Sequence, residues 1–466
     1  MTLLETAASQ RIKTIRETSE TRRNAFAQHL TPKETAILAA SMFSDSDHSV
    51  RCLDLGAGTG MLSIAMIERY GDLVSHIDCI EADAQLAAIC DKELARFPHR
   101  MIIGDALTET PESAYDRVIL NPPYKKMASN DARQGVLPVH SANLYSAFLA
   151  IALSRLAKGG ECVAIIPRSW MNGDYFTPFR KWALSFCSLD AMHVYDSRTE
   201  VFRDTKVLQE TMLVRFSRRS QSKTVVVSLS DGKASRIERN EFPASDLISD
   251  KDAVIRIAPV ENVFSETILG SGFCPSTGKV VDFRSRERIY ATRKDALEHS
   301  SSAHDVYRLV YAGNLRTGEL VHPAEIGKGQ WYRADDKSSR QQLIQPGSYV
   351  LVKRFSSKEE RRRVVAYPIE IDEPTAFENH SNIIHSGTPR KVIPLSSFEL
   401  ACGLAMWLNS TYIDEWFRDV SGSTQVNAKD IKSMPCPPIA QLISLGNEWE
   451  PRIDQEKIDK AVGELL

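Results

Sequence analysis

The chain of 466 residues has no Cys-x-x-Cys pair, no uninterrupted run of 18 apolar residues, no low-complexity tract and no internal repeat. Each absence removes a class of protein. Cysteines 52, 79, 90, 162, 187, 274, 402 and 436 stand singly in apolar segments, which argues against a metal or disulfide framework and for reduced, buried thiols. Without a long apolar run, and with a polar start, neither a membrane span nor a secretory leader is expected, and the chain reads as cytoplasmic. An excess of one charge is missing too. The formal net charge is −2, so any nucleic-acid partner must be held by a local basic cleft rather than a global field. No convincing Pro-Asp…Glu-x-Lys nuclease constellation is present. The apolar fraction of 42% and charged fraction of 25% are those of a globular protein with room for two or three domains.

What is present is alternation. Residues 1–30 carry a charged helical pattern, after which Thr31 is placed as N-cap and Pro32 as first-turn residue of a helix running to Phe43. Apolar strand patterns follow at 50–55, 75–81, 100–103, 116–120, 161–166, 191–195 and 208–216, with helical segments notably at 60–70, 83–96 and 143–157. That order predicts an α/β, doubly wound, mostly parallel sheet, with the last two strands as an antiparallel pair at one edge. Beyond Ser220 the texture changes to short β-like runs, turns and basic residues, including a charged cluster at 358–363, before a helical pattern returns at 397–417. The expected organisation is a helical segment at 1–48, an α/β catalytic domain at 49–230 and an α+β domain at 231–466.

Ligands of open α/β sheets lie beyond the carboxyl ends of the strands. The first strand pattern ends in Asp54-Leu55-Gly56-Ala57-Gly58-Thr59-Gly60, where Gly56, Gly58 and Gly60 let the backbone approach a ligand and open a helix toward it. Two further strand ends carry acids. Glu81, with Asp83 as the second choice, is placed to accept both hydroxyls of a ribose. Asp105, with Ala106 beside it, is placed to accept from an adenine amino group. Acids at 54, 81 and 105 together mark a nucleotide-like cofactor far better than a glycine loop alone. NAD is disfavoured because the loop is Gly-x-Gly-x-Gly rather than Gly-x-Gly-x-x-Gly, and S-adenosylmethionine fits better.

The fourth strand pattern ends in Asn121-Pro122-Pro123-Tyr124. An exocyclic base amine is a poor nucleophile because its lone pair is delocalised into the ring. Two acceptors aimed at its N–H groups, the Asn121 side-chain oxygen and the Pro122 carbonyl, favour a pyramidal nitrogen. Pro122 and Pro123 lack N–H groups and keep the backbone extended. Positioning and electrostatics carry such a transfer with no prior base. Tyr124 offers a ring on which a flipped base stacks.

On these motifs the chain resembles the gamma-class, TaqI-like DNA adenine-N6 methyltransferases of type II restriction–modification systems. Its C-terminal half is most similar to their PstI/BsuBI-type branch. The resemblance covers roughly residues 20–440 and implies a Rossmann-like, S-adenosylmethionine-dependent catalytic domain followed by a target-recognition domain. It implies that Thr31-Pro32 contacts the methionine end of the cofactor, although His29-Leu30 stands where the family usually has an aromatic residue. It implies that Phe148, in the segment from Asn143 to Gly160, lines the adenine pocket, and that Phe202 in Glu200-Val201-Phe202 is a second aromatic for the flipped base. Pro167-Arg168-Ser169-Trp170 follows the next strand as in the family. In the C-terminal half the stretches from Tyr349 to Glu360, Glu378 to Asn382 and Ser421 to Asn427 are similar to segments of that branch. Candidate DNA contacts are Lys353, Arg354, Lys358, Arg361, Arg362 and Arg363 on phosphates, and Asn379, Gln425 and Asn427 on base edges. No metal site is expected, since His380 has no ligand partner at metal spacing. The implied partners are double-stranded DNA and a separate restriction endonuclease, with no membrane, for a nucleoid-associated monomer. Protein-glutamine methylation, RNA methylation and a DNA-binding specificity module remain alternatives. The long segment after the catalytic domain favours DNA.

Overall fold

Apolar runs buried on both faces should give central strands, and here they gather into one sheet. Its strands are β1 (Val50–Leu55), β2 (Val74–Glu81), β3 (His99–Ile103), β4 (Tyr115–Leu120), β5 (Leu156–Pro167), β6 (Ser188–Tyr195), β7 (Thr211–Ser217), β8 (Thr224–Ser230) and β9 (Ile237–Pro243). They lie in the order β3-β2-β1-β4-β5-β7-β6-β8-β9. The structure is a computed structural model and describes residues 2–19, 30–112, 114–195, 211–230, 237–250, 253–259, 263–316, 319–356, 360–420 and 425–466. The chain divides into two compact units, Met1–Pro259 and Val260–Leu466.

In the first unit, β3, β2, β1, β4 and β5 are parallel, and β7 runs antiparallel between β5 and β6. The helices are α1 (Leu3–Glu17), α2 (Lys33–Ser41), α3 (Met61–Tyr70), α4 (Ala84–Leu94), α5 (Leu144–Ser154) and α6 (Thr177–Leu184). Strand alternation sends successive side chains to opposite faces. Leu53, Leu55, Val118 and Leu120 join one buried cluster with α5. Cys52 and Ile119 join the other, with α2 and α3. The strand order reverses between β1 and β4, so their carboxyl ends frame the crevice where the site is expected.

Two expectations are corrected. The β6–β7 pair does not form the sheet edge, because β8 pairs parallel with β6 and β9 antiparallel with β8. Helix α2 also begins one residue later than expected, with Pro32 rather than Thr31 at the N-cap.

In the second unit the strands Phe273–Thr277, Ser381–Thr388, Gly347–Lys353 and Ala366–Ile371 pair antiparallel in that order. The helical stretch expected at 397–417 is two helices, Phe398–Leu408 and Thr411–Val420. It breaks at Asn409, whose carboxamide accepts from the Ala366 N–H and donates to the Ala366 carbonyl. All eight cysteines are free and buried. No helix among the described residues is long and apolar enough to cross a membrane.

Candidate functional site

The loop after β1 is tied to β2 by two backbone bonds. The Gly56 and Ala57 N–H groups donate to the Ile80 carbonyl at 2.8 and 3.0 Å. Gly56 and Gly58 have φ of +81° and +56°, conformations that cost an L-residue about 1–2 kcal/mol. Gly60, at φ +85°, shares that conformation and serves packing as well: a Cβ there would lie 3.0 Å from the Cys90 Sγ of α4. Asp54 is fully buried behind the loop. Its Oδ2 accepts from the Ser63 N–H and hydroxyl at 3.1 and 2.7 Å, which braces the start of α3. Burial pushes its pKa up to about 7. Asp54 is not among the residues lining the cavity described next.

That cavity, a cleft open to solvent, lies at the carboxyl ends of β1, β2 and β4. Gly56, Gly58, Glu81, Asp105, Ala106, Asn121, Pro123 and Phe148 line it, eight residues singled out from sequence. The Glu81 carboxylate is fixed from both sides, since Oε2 accepts from the Gly58 N–H and Oε1 from the Asp83 N–H, each at 2.9 Å. Burial raises its pKa, an imbalance that hydroxyl donors from a ligand relieve. Asp83, the second choice, caps α4 by accepting from the Gln85 N–H at 2.9 Å. Asp105 caps the short helix Ala106–Glu109 through the Leu107 N–H, and its other oxygen takes Arg133 Nη1 at 3.0 Å. Phe148, on α5, reaches the glycine loop: a Cβ on Gly56 would lie 3.7 Å from its ring. Sequence reasoning missed Ile80 and Leu86, which give the cavity apolar walls, and Arg133, which anchors Asp105. Ile80 was readable in hindsight as the residue before the strand-end acid. A mixed apolar and acceptor-lined cleft fits an adenosine, and the Glu81 oxygens fit its ribose.

At the end of β4 the Asn121 carboxamide is held at both ends. Its Nδ2 donates to the Thr31 hydroxyl at 3.0 Å, and its Oδ1 lies 3.0 Å from the Tyr124 hydroxyl. That hydroxyl is also 3.0 Å from the Ile165 carbonyl of β5. The Tyr124 ring stands edge-on to Tyr145, at 6.3 Å and 88°, and Tyr145 in turn packs at a tilt of 33° against Phe176, 5.3 Å away. Burial raises the Tyr124 pKa, so its phenol is a neutral donor. No protein group donates to the Pro122 carbonyl among the described residues. Pro32 holds its place at the start of α2, while Thr31 faces Asn121 instead of lining the cavity. Phe202 lies outside the described residues.

In the second unit, Arg354 donates to the Asn379 carbonyl at 2.9 Å and to the Gln425 side chain at 3.3 Å, joining three candidate contact residues in one cluster. Lys353 is paired with Glu360 at 2.8 Å, and Arg361 is exposed. Asn427 sits at the N-cap of the helix Ala428–Lys432, where its N–H and Nδ2 donate to Asp430. Lys358 lies outside the described residues. Arg363 is buried over the Phe417 ring and packs rather than reaching solvent. Phe355, which sequence reasoning passed over, is 40% exposed between the Arg354 guanidinium and the His380 ring, 4.8 Å away. Its signal was a single aromatic inside a basic run.

Residues 18–173 match the methyltransferase small domain family. Over 95% of this chain, and 94% of the relative, the sequence is 32% identical to the type II methyltransferase M.BsuBI of Bacillus subtilis. It is 31% identical to the type II methyltransferase M.PstI of Providencia stuartii over 96% of this chain and 94% of that one. The chain belongs to the type II methyltransferase family. A solved structure of the type IIL restriction–modification enzyme MmeI in complex with DNA shares the fold, with a TM-score of 0.58, 12% identity and coverage of 99% of this chain and 73% of that one. As a type II methyltransferase of the restriction–modification kind, this protein uses S-adenosylmethionine as its methyl donor.

Proposed function

We propose that this type II methyltransferase methylates the N6 amine of an adenine lifted out of duplex DNA, at a specific sequence, and so protects that DNA from a partner restriction endonuclease. One observation carries the reading: a single cavity is lined both by the Gly56–Glu81 side that fits an adenosine and by Asn121 and Pro123 of the Asn-Pro-Pro-Tyr turn. S-adenosylmethionine, when bound, supplies an electrophilic sulfonium methyl. Glu81 accepts from its ribose hydroxyls, while Ile80, Leu86 and Phe148 enclose its adenine. Pro32, Asp54 and Gly60 support that side through the loops and helices they brace. Asn121 Oδ1 and the Pro122 carbonyl accept the two N–H bonds of the target amine and favour the pyramidal nitrogen that attacks. The Tyr124 ring, and Phe202 as a second aromatic, flank the flipped base. Duplex recognition falls to the second unit, through Arg354, Arg361, Gln425, Asn379 and their neighbours. The enzyme works as a monomer.

The test is incubation with labelled S-adenosylmethionine and, in parallel, unmodified bacterial DNA, transfer RNA and a protein lysate. Label is expected in DNA. Asn121→Ala should lose that transfer while still binding S-adenosylhomocysteine. Label confined to RNA or protein contradicts the reading.

A further inference from the structure

Thr31 and Asn121 are 90 residues apart in the chain, yet they meet through a 3.0 Å hydrogen bond from Nδ2 to the threonine hydroxyl. Thr31 is only 6% exposed, so this bond is shielded from water. The threonine is itself rigidly presented. On one side the Leu30 carbonyl accepts from Arg11 Nε of α1 at 2.9 Å. On the other, Pro32 confines Thr31 to extended backbone and opens α2, where its carbonyl takes the Ala36 N–H at 3.0 Å. Leu30 lines the cavity and Thr31 does not.

An asparagine side chain has two soft torsions, and turning its amide over exchanges an acceptor for a donor. Turned over, Asn121 would present N–H groups to the N–H groups of the target amine. With Nδ2 committed to the Thr31 oxygen, Oδ1 is left on the opposite side, where the Tyr124 hydroxyl now reaches it. Tyr124 shares the oxygen that a target amine must use. Thr31 holds the other end.

We propose that Thr31 is a positioning residue for methyl transfer. Its hydroxyl fixes the Asn121 carboxamide with Oδ1 facing the target nitrogen, and it acts on the transfer step rather than on donor affinity. This rests on the proposed role of Asn121 and assigns the threonine of the Thr-Pro turn to the acceptor side of the reaction.

The experiment compares Thr31→Val, which keeps the shape and removes the hydroxyl, with Thr31→Ser, which keeps the hydroxyl. Thr31→Ala repeats the hydroxyl loss without valine's branch, and thermal melting verifies the fold of each variant. Two quantities are read: the rate of transfer to unmodified bacterial DNA at saturating labelled S-adenosylmethionine, and S-adenosylhomocysteine affinity by calorimetry. Loss of one buried hydrogen bond at the reacting centre should slow saturated transfer by about 10- to 100-fold in Thr31→Val and Thr31→Ala, with affinity changed less than about 3-fold and Thr31→Ser close to wild type. Weakened S-adenosylhomocysteine binding with a wild-type saturated rate would place Thr31 on the donor and overturn the proposal. So would valine and serine variants that behave alike. If the wild type labels RNA or protein and not DNA, the DNA reading fails by itself, and the same variants are scored on the acceptor that is labelled.

Discussion

The Tyr124 hydroxyl lies 3.0 Å from Asn121 Oδ1 and 3.0 Å from the Ile165 carbonyl, so the oxygen proposed to accept the target amine already has a neighbour. A phenol has one proton to donate between these two acceptors. Ring and hydroxyl therefore make separable contributions. Tyr124→Phe keeps the ring, takes the hydroxyl away from Oδ1, and should leave kcat/KM within about 3-fold of wild type. Tyr124→Ala removes the stacking surface and should lower kcat/KM for DNA by about 10- to 100-fold, the range expected for one base–aromatic stack. Steady-state transfer assays decide; a phenylalanine variant as impaired as alanine would assign the role to the hydroxyl.

Glu81 joins the glycine loop to the cavity, since it holds the Gly58 N–H on one oxygen and the Asp83 N–H on the other. Glu81→Ala removes these acceptors together with the proposed partner of the ribose. S-adenosylhomocysteine binding should weaken by about 10- to 100-fold in calorimetry, with Glu81→Gln in between because it keeps one acceptor oxygen. Unchanged binding in the alanine variant would remove Glu81 from the donor site.

Phe355, 40% exposed, stands between Arg354 and His380, a basic setting with an aromatic face left open to solvent. If the second unit reads duplex DNA, Phe355→Ala should raise the KM for DNA by about 10-fold, with kcat and S-adenosylhomocysteine binding little changed. An unaltered KM would exclude the ring from the contact surface.

His193, on β6, is 1% exposed, and its ring nitrogens meet the Ser228 and Ser230 hydroxyls at 2.8 and 2.9 Å. Burial lowers its pKa from 6.5 to about 4. Between these values the unfolded chain binds the proton and the folded chain does not, so this residue makes stability fall as pH drops through that window and level off below it. Asp54, raised to about 7 by burial, acts in the opposite direction, because its folded form takes up the proton first. The readout is therefore the difference between wild type and His193→Asn in denaturant unfolding across pH. That difference should change by about 2–3 kcal/mol between pH 6.5 and pH 4. A pH-independent difference would show that His193 titrates normally in the fold.

The sequence pattern located the central strands well because they are buried on both faces: Val50–Leu55 and Tyr115–Leu120 are buried at every position but one, and four of the six residues in each are apolar. It missed β9, Ile237–Pro243, because an exposed edge strand of sequence IERNEFP carries no alternation to read. Strand-end acids were visible, but their uses were not. Whether a carboxylate faces a cavity, as Glu81 does, or turns back to cap a helix, as Asp83 does, depends on loop geometry that spacing does not encode. The Thr31–Asn121 contact was invisible for a different reason, since each residue belongs to its own motif and only the fold brings them together.

The proposed acceptor is one atom, the N6 amine of an adenine, with Asn121 and Pro122 as its proposed partners. The most direct measurement is to methylate unmodified bacterial DNA with the purified protein, digest it to nucleosides and identify the methylated species by mass spectrometry. N6-methyladenine as the sole product is the expected result. N4-methylcytosine or 5-methylcytosine in its place would contradict the account.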